Sequence, residues 1–242
     1  MIHSFLDARI GVISPDDGIN DDEFWFYVPQ RVNLLFTRYR NPKRDEPISV
    51  SMLEPFSDVE SISEAAETLR ITRPTVVGLA CNSGSFLQGL GNDRAIVTCI
   101  ERGAGAPATT ITTAQVEALR HFNAKRVAVG GPYPQDVTDR LGAYLAMSGF
   151  EVTSTVGLGM ENQWQIGNAA PQIWADLARR VNRAEADCIV LACSGIRISP
   201  VLAELECELG KPVITGPAVM MWHALRLAGL NPRLQGRGRL WT

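Results

Sequence analysis

The chain has 242 residues, of which 45% are hydrophobic and 20% charged, a composition typical of a globular protein that buries a sizeable core. Its formal net charge is −3 and its lysines and arginines do not gather into blocks, which argues against a nucleic-acid or membrane-surface partner and favours a small molecule. No stretch approaches the roughly 18 apolar residues of a membrane span, and the N-terminus lacks a basic start followed by an apolar region, so we expect a cytoplasmic protein.

Short β-branched runs alternate with longer amphipathic segments, a pattern that predicts βα units and a parallel sheet. In chain order, the predicted strands are Arg9–Ile13, Thr75–Leu79, Ile96–Ile100, Arg126–Val129, Glu151–Val156, Cys188–Ala192 and Pro212–Ile214. The predicted helices are Ser61–Arg70, Thr113–Phe122, Gln135–Ser148, Pro171–Arg183, Pro200–Leu209 and Ala218–Ala228. Thr112 and Gln115 have the spacing of a capping box, which predicts the start of the second of these helices.

Two stretches of the chain recur in the same order in its second half. Arg9–Pro15 has the pattern of Arg126–Pro132, and Thr75–Gly84 has the pattern of Asp187–Gly195. Any two βα units resemble each other, but the second pair also shares Leu-Ala-Cys at a strand end, followed by small polar residues. We therefore predict two related lobes, with a boundary near Gly103–Ala108, where a Gly-Ala-Gly-Ala-Pro-Ala run interrupts the pattern.

The five cysteines are an odd number without C-x-x-C spacing, which predicts neither a disulfide framework nor a zinc site. An isolated buried cysteine is most often a small apolar filler, and we interpret Cys99, Cys188 and Cys207 in this way. Cys81 and Cys193 differ from them because each follows the repeated strand. These two thiols are the candidate catalytic residues.

Ligands of an open parallel sheet bind just beyond the carboxyl ends of its strands, where Cys81 and Cys193 are both expected. If a pseudo-twofold axis relates the lobes, the two thiols face one cleft. That arrangement suits removal of a proton from one face of a molecule and its return on the other, or addition of a thiolate to a double bond while the opposite thiol supplies a proton. The small residues that follow, Asn82–Ser85 and Ser194–Gly195, would let backbone N–H groups stabilise a thiolate and a substrate carboxylate.

Two further polar residues follow predicted strands. Tyr133 comes after the first strand of the second lobe, so its hydroxyl could reach the cleft, although packing between the lobes would also explain it. Asn162 comes after Glu151–Val156 and could donate its amide to a carboxylate, while an ordinary turn asparagine explains it equally well. The acidic residues at 16, 17 and 21–23 are interpreted as solvated turns rather than a cation site.

Other familiar chemistries lack their motifs. The chain has no G-x-G-x-x-G after a strand, no Walker A motif, no G-x-S-x-G elbow and no H-E-x-x-H. His3, His121 and His223 stand apart from the glycine-rich strand ends, which argues against a cysteine–histidine hydrolase.

Gly78–Gly84, Gly131–Tyr133, Leu191–Gly195, Gly210–Ile214 and Trp222–Gly229 resemble the aspartate/glutamate racemase superfamily, especially its branch containing maleate cis-trans isomerase and arylmalonate decarboxylase. The resemblance covers nearly the whole chain. It implies an α/β fold of two pseudo-symmetric lobes, each a parallel sheet of about four strands flanked by helices, with the active site in the cleft between them. The C-terminal helix would pack back on the first lobe. The first lobe would then comprise residues 1–108 and 215–242 with Cys81, and the second residues 109–214 with Cys193.

The same resemblance implies an isomerase or racemase that needs no metal or organic cofactor and acts on a small carboxylate or dicarboxylate. It also favours a homo-oligomer. Cys81 and Cys193 would act as acid and base or as nucleophile. The residues expected to bind the substrate are Pro15, Asn82, Ser83, Tyr133, Asn162, Ser194 and Gly195.

Two alternatives remain open at the level of sequence. The decarboxylase resembles this chain but keeps only the second cysteine, so the presence of both favours isomerisation or racemisation over loss of CO₂ from a disubstituted malonate. Maleate isomerases carry an asparagine three residues after the first-strand proline, where this chain has Gly18 and its Asn20 is out of register, which argues against maleate itself. A catalytically silent metabolite-binding protein on the same scaffold is the other alternative.

Overall fold

The structure is a computed structural model that describes residues 5–242, so His3 and the rest of the first four residues lie outside the described residues. The strands of this part are β1 (Ala8–Pro15), β2 (Val32–Tyr39), β3 (Val76–Leu79), β4 (Ala108–Thr110), β5 (Arg126–Gly131), β6 (Glu151–Gly157), β7 (Cys188–Leu191) and β8 (Val213–Thr215). The helices are α1 (Asp21–Trp25), α2 (Val50–Leu53), α3 (Val59–Arg70), α4 (Asn82–Phe86), α5 (Leu90–Ala104), α6 (Ile111–His121), α7 (Gln135–Met147), α8 (Gln163–Asn168), α9 (Pro171–Val181), α10 (Leu202–Leu209) and α11 (Gly216–Leu227).

These strands form two parallel sheets of four strands each, ordered β2-β1-β3-β4 and β6-β5-β7-β8. The two orders correspond strand for strand, so the repeat in the sequence is also a repeat in the structure. The inner strand β1 buries Ile10, Val12 and Ile13 completely, as expected for a parallel sheet covered by helices on both faces. The predicted α/β fold with two pseudo-symmetric lobes is confirmed.

The C-terminal helix α11 packs against α6 and against β3 and β4 of the first sheet. The strand β4 pairs with β3 and continues to Thr110, two residues beyond the predicted lobe boundary. The division of the chain at residues 108 and 215 stays a prediction. Within residues 5–242, no helix combines the length and the hydropathy needed to cross a membrane.

The prediction of a strand at Ile96–Ile100 is wrong, because this segment lies inside the helix α5. Its apolar residues Ile96, Cys99 and Ile100 are three and four positions apart and form the buried face of that helix. The strands β2 and β4 were not predicted. The first is an edge strand whose residues are mostly half-buried, and the second has only three residues.

The predicted capping box is also wrong. The N-cap of α6 is Thr110, whose Oγ1 accepts a hydrogen bond from the backbone N–H of Thr113 at 3.0 Å. Thr112 and Gln115 are completely buried and point toward the strand ends instead, where their side chains contact the site described next.

Candidate active site

The two candidate thiols leave equivalent strands of the two sheets. Cys81 follows β3 and is the N-cap of α4, and Cys193 follows β7. Both residues are buried, with 4% and 5% of their surface exposed, and both line one cavity between the lobes. The repeat therefore brings the two sulfurs to the same cavity, as the sequence predicted.

The cavity has a polar end and an apolar cover. Of the predicted substrate-binding residues, the cavity is lined by Pro15, Asn82, Ser83, Tyr133 and Ser194. The lining residues that were not predicted are Asp17, Gly18, Ile48, Met52, Leu53, Phe56 and Gln163. Its volume is about 30 Å³, close to the share of one water molecule in the liquid, so the walls must separate to admit a substrate.

The cover consists of residues 48–56, which lie between β2 and α3. The backbone N–H of Ile48 donates to the carbonyl of Glu161 at 2.8 Å and so ties this segment of the first lobe to the second. Phe56 contacts the start of α4, because a Cβ added at Gly84 would lie 2.4 Å from the Phe56 carbonyl oxygen. Glycine at this position allows the cover to approach the Cys81 helix closely.

The sulfur of Cys81 receives hydrogen bonds mainly from its own turn. The backbone N–H of Gly84 donates to it at 3.4 Å, and the hydroxyl of Ser83 lies 3.7 Å away. The phenol of Tyr39, at the end of β2, lies close to this sulfur as well, and it donates its hydrogen to the carbonyl of Phe56 at 3.0 Å. Burial raises the pKa of the Cys81 thiol, and the contacts with Tyr39, Gly84 and Ser83 oppose that rise because they favour the thiolate.

The surroundings of Cys193 are different. Its backbone has a φ of 86°, in the left-handed region that a non-glycine residue rarely occupies, and no helix begins at this cysteine. The backbone N–H of Gly195 donates to its sulfur at 3.2 Å, and Tyr133 forms a second hydrogen bond. Burial raises the pKa of Cys193 to about 12 despite these two contacts.

The side chain of Asn82 holds Cys193 in this conformation. Its Oδ1 accepts hydrogen bonds from the backbone N–H of Cys193 at 3.0 Å and from Nε2 of Gln115 at 3.2 Å. Its Nδ2 donates to Oγ1 of Thr112 and to Oε1 of Gln115, each at 3.2 Å. The amide thus uses two donors and two acceptor sites inside the protein, which fills its hydrogen-bonding capacity. Asn82 lines the cavity, but its amide is not free to bind a carboxylate as expected.

Two other predicted residues do not line the cavity. Asn162 is exposed, and its Oδ1 accepts a hydrogen bond from the backbone N–H of Gln165 at 2.9 Å, so it caps α8. The next residue, Gln163, lies in the cavity wall instead. Gly195 lies behind the cavity wall: its backbone N–H donates to the sulfur of Cys193, it packs against the side chain of Gln163, and its carbonyl accepts a hydrogen bond from the side chain of Asn20.

Asp17 was interpreted as part of a solvated turn, but it is half-buried and lines the cavity. Burial raises its pKa to about 6, and the neighbouring charge of Asp16 adds to this rise. Next to it, a Cβ at Gly18 would lie 2.8 Å from Oγ of Ser14, which leaves no room for the asparagine of maleate isomerases without a local shift. No group of His, Cys, Asp and Glu within residues 5–242 has the arrangement of a metal site.

Comparison with known proteins identifies the family of this chain. The family model for arylmalonate decarboxylase matches residues 50–241. The arylmalonate decarboxylase of Bordetella bronchiseptica is 32% identical over 186 residues, which are 76% of this chain and 78% of that protein. The chain belongs to the arylmalonate decarboxylase family. The predicted membership of the branch that also contains maleate isomerase is confirmed.

Members of the isomerase group are similar over a comparable length. A maleate isomerase of Pseudomonas putida is 29% identical over 189 residues, which are 76% of this chain and 75% of the relative. The structure of a Nocardia farcinica maleate cis-trans isomerase mutant with a covalently bound succinylcysteine intermediate has a TM-score of 0.84 at 23% identity, and the match covers 97% of this chain and 98% of that one. The relatives confirm the prediction of an enzyme, and the structural match confirms the fold.

Proposed function

We propose that this member of the arylmalonate decarboxylase family is a cofactor-independent isomerase or racemase of a small carboxylic acid, with Cys81 and Cys193 as its acid and base. The observation that carries the proposal is that two buried thiols, one from each lobe, line a single cavity. A single thiol can return a proton only from the side on which it stands. Two thiols on opposite walls allow a proton to leave one face of a carbon and another to arrive on the opposite face.

The hydrogen bonds assign the starting roles. The Gly84 N–H and the Ser83 hydroxyl favour the thiolate of Cys81, which is the N-cap of α4, whereas Cys193 begins no helix and burial raises its pKa to about 12. Cys81 is therefore the base that takes the α-proton, and the electron pair of the Cα–H bond moves into the carboxylate to give an enediolate. The S–H of Cys193 then protonates the other face. In an unsaturated acid, the Cys81 thiolate adds to the double bond while Cys193 protonates the neighbouring carbon, and elimination follows rotation.

The polar end of the cavity stabilises the negative charge of the intermediate. The hydroxyls of Ser83, Tyr133 and Ser194 are its side-chain donors. Burial raises the pKa of Tyr133 well above its usual range, so this phenol remains a proton donor at neutral pH. Donors that are already in place at a dry site stabilise a developing oxyanion more strongly than water does.

Decarboxylation is the second candidate, favoured by the family match and by the glycine at position 18. In that reaction the C–C bond to one carboxylate breaks, CO₂ leaves, and Cys193 protonates the remaining enediolate. Cys81 has no role in these steps.

Replacement of Cys81 distinguishes the two candidates. We expect Cys81→Gly to abolish proton exchange and isomerisation, measured by NMR in D₂O with a panel of small carboxylates, because the base is lost. Cys207→Ser is the matched control, since this cysteine is exposed and outside the cavity. If Cys81→Gly keeps isomerase activity, the proposal is wrong, and if it releases CO₂ from arylmalonates as fast as the parent protein or faster, the chain is a decarboxylase.

A further inference from the structure

The cavity lining contains one carboxylate, on Asp17, together with the hydroxyls of Ser83, Tyr133 and Ser194. A site for a dicarboxylate would present donors to both ends of its ligand. Here the lining combines these hydroxyls with the apolar cover residues Ile48, Met52, Leu53 and Phe56 and with one negative charge.

Asp17 forms no ion pair within residues 5–242, although two arginines lie near it. Each of these arginines forms an ion pair with another acidic residue: Arg38 with Asp21 at 2.7 Å and Arg44 with Asp16 at 3.4 Å. Apart from its own backbone, no hydrogen-bond partner of the Asp17 carboxylate is found in the described part of the chain. A half-buried carboxylate without a partner is unfavourable in its charged form, and a ligand of the opposite charge would relieve that cost.

The position of this charge affects both thiols. The charge of Asp17 raises the pKa of Cys81 and that of Cys193, because each thiolate would repel it. A second carboxylate on the substrate would add to the repulsion. A cation bound at Asp17 would remove it and make the thiolate of Cys81 easier to form.

We infer that the substrate is a zwitterionic α-amino acid with an apolar side chain, whose ammonium group binds Asp17. This inference rests on the proposed function and names its substrate class. The carboxylate would lie at the hydroxyls of Ser83 and Ser194, the side chain against Met52 and its neighbours in the cover, and Cα between the two sulfurs. Three attachments fix the orientation of a chiral centre, and the ammonium group also makes the Cα proton more acidic.

The experiment measures exchange of the Cα proton in D₂O, by NMR, for L-leucine, L-methionine, L-glutamate and (S)-2-phenylpropanoate, with isomerisation of maleate alongside. We expect kcat/KM for leucine and methionine to exceed that for the other three by at least about tenfold, the effect of one charge-assisted contact. Asp17→Asn keeps the shape of the side chain and removes its charge. It should lower kcat/KM for leucine by about 10- to 100-fold and lower that for 2-phenylpropanoate much less.

Asp16→Asn is the matched control, because Asp16 is the neighbouring acid but is exposed and pairs with Arg44. It should keep the preference for leucine, and circular dichroism should show that both variants fold. Turnover of 2-phenylpropanoate or maleate in preference to the amino acids, unchanged by Asp17→Asn, overturns the substrate class and leaves the proposed function intact. If the parent protein turns over no member of the panel and none protects its thiols from alkylation, both are wrong.

Discussion

Cys81 and Cys193 leave equivalent strands of the two sheets, yet the protein holds their sulfurs in different ways. Cys81 begins a helix, and the partners of its sulfur, Ser83 and the backbone N–H of Gly84, lie within three residues of it. Cys193 begins no helix, has a left-handed backbone, and donates its backbone N–H to the side-chain oxygen of Asn82 in the other half of the chain. The position of the Cys81 sulfur is thus set by residues of its own turn, whereas the position of the Cys193 sulfur depends on contact between the lobes.

This difference matches the proposed division of labour. A base needs its thiolate to be accessible, and the local donors at Cys81 reduce the rise in pKa that burial causes. An acid needs to stay protonated and to be placed correctly, and burial and the Asn82 contact provide these conditions at Cys193. The three predictions below test this comparison, from the largest expected effect to the smallest.

The tyrosines that contact the two sulfurs should affect different parts of the pH profile. Tyr39→Phe removes the phenol whose contact with Cys81 favours the thiolate, so the pKa of that thiol rises and the ascending limb of kcat/KM against pH moves to higher pH. Tyr133→Phe removes a donor to Cys193 and to the enediolate, so kcat falls at every pH while the ascending limb stays in place. Each loss should be about 10- to 100-fold at neutral pH. If both variants shift the same limb, the assigned roles of the two cysteines are wrong.

Gln115 tests whether Asn82 positions Cys193. Gln115 is completely buried and does not line the cavity, and it contacts the site through Asn82. Gln115→Met should lower kcat by about tenfold with little change in KM, because the loosened amide lets Cys193 leave its left-handed conformation, and it should destabilise the fold by about 1–3 kcal/mol. Alkylation of Cys193 should change while that of Cys81 does not. A loss of stability with unchanged kcat and unchanged labelling would mean that Gln115 is only structural.

Glu23 joins the two lobes without touching either thiol, and its effect should appear only in stability. It is buried, and its Oε1 accepts a hydrogen bond from the hydroxyl of Ser199 at 2.9 Å. Burial raises its pKa from 4.5 to about 7, so the folded protein prefers the protonated acid. The stability that this proton provides is complete below pH 4.5 and is lost as the pH rises to 7 and above.

Glu23→Gln should therefore raise the free energy of unfolding at pH 8, by up to about 3 kcal/mol, and change it less at pH 5. Urea unfolding at the two pH values measures the difference. Glu64→Gln, at an exposed position on α3, is the matched control. Equal effects of Glu23→Gln at both pH values would contradict a buried, protonated acid at the contact between the lobes.

The features of the fold that could be predicted are those encoded by the stretches that occur twice in the sequence. Leu-Ala-Cys at two strand ends was enough to place both sulfurs at one cavity, because parallel strands of equivalent position end at the same edge of their sheets. The helix α5 was mistaken for a strand because its buried face carries β-branched residues, and β4 was too short to recognise. These are errors of local pattern, and the sheet order did not depend on them.

The roles of Asn82 and Asp17 could not be read from the sequence. The partners of Asn82 are Thr112, Gln115 and the backbone of Cys193, which lie 30 to 111 positions further along the chain, so no local spacing indicates that its amide is already occupied. Asp17 sits in an acidic turn that looks solvated, and only the three-dimensional structure shows that it is half-buried in the cavity wall. The homo-oligomer and the cytoplasmic location stay predictions.

The measurement that tests the two-thiol account most directly is racemisation in D₂O, stopped before about a tenth of a chiral substrate has reacted. Cys81 removes a proton from one face of Cα. The thiol of Cys193 has exchanged its proton for deuterium from the solvent, and it delivers this deuterium to the opposite face of Cα. We therefore expect the newly formed enantiomer to carry deuterium at Cα while the recovered starting enantiomer carries none. Deuterium appearing at equal rates in both enantiomers would show that one group serves both faces, and would contradict the account.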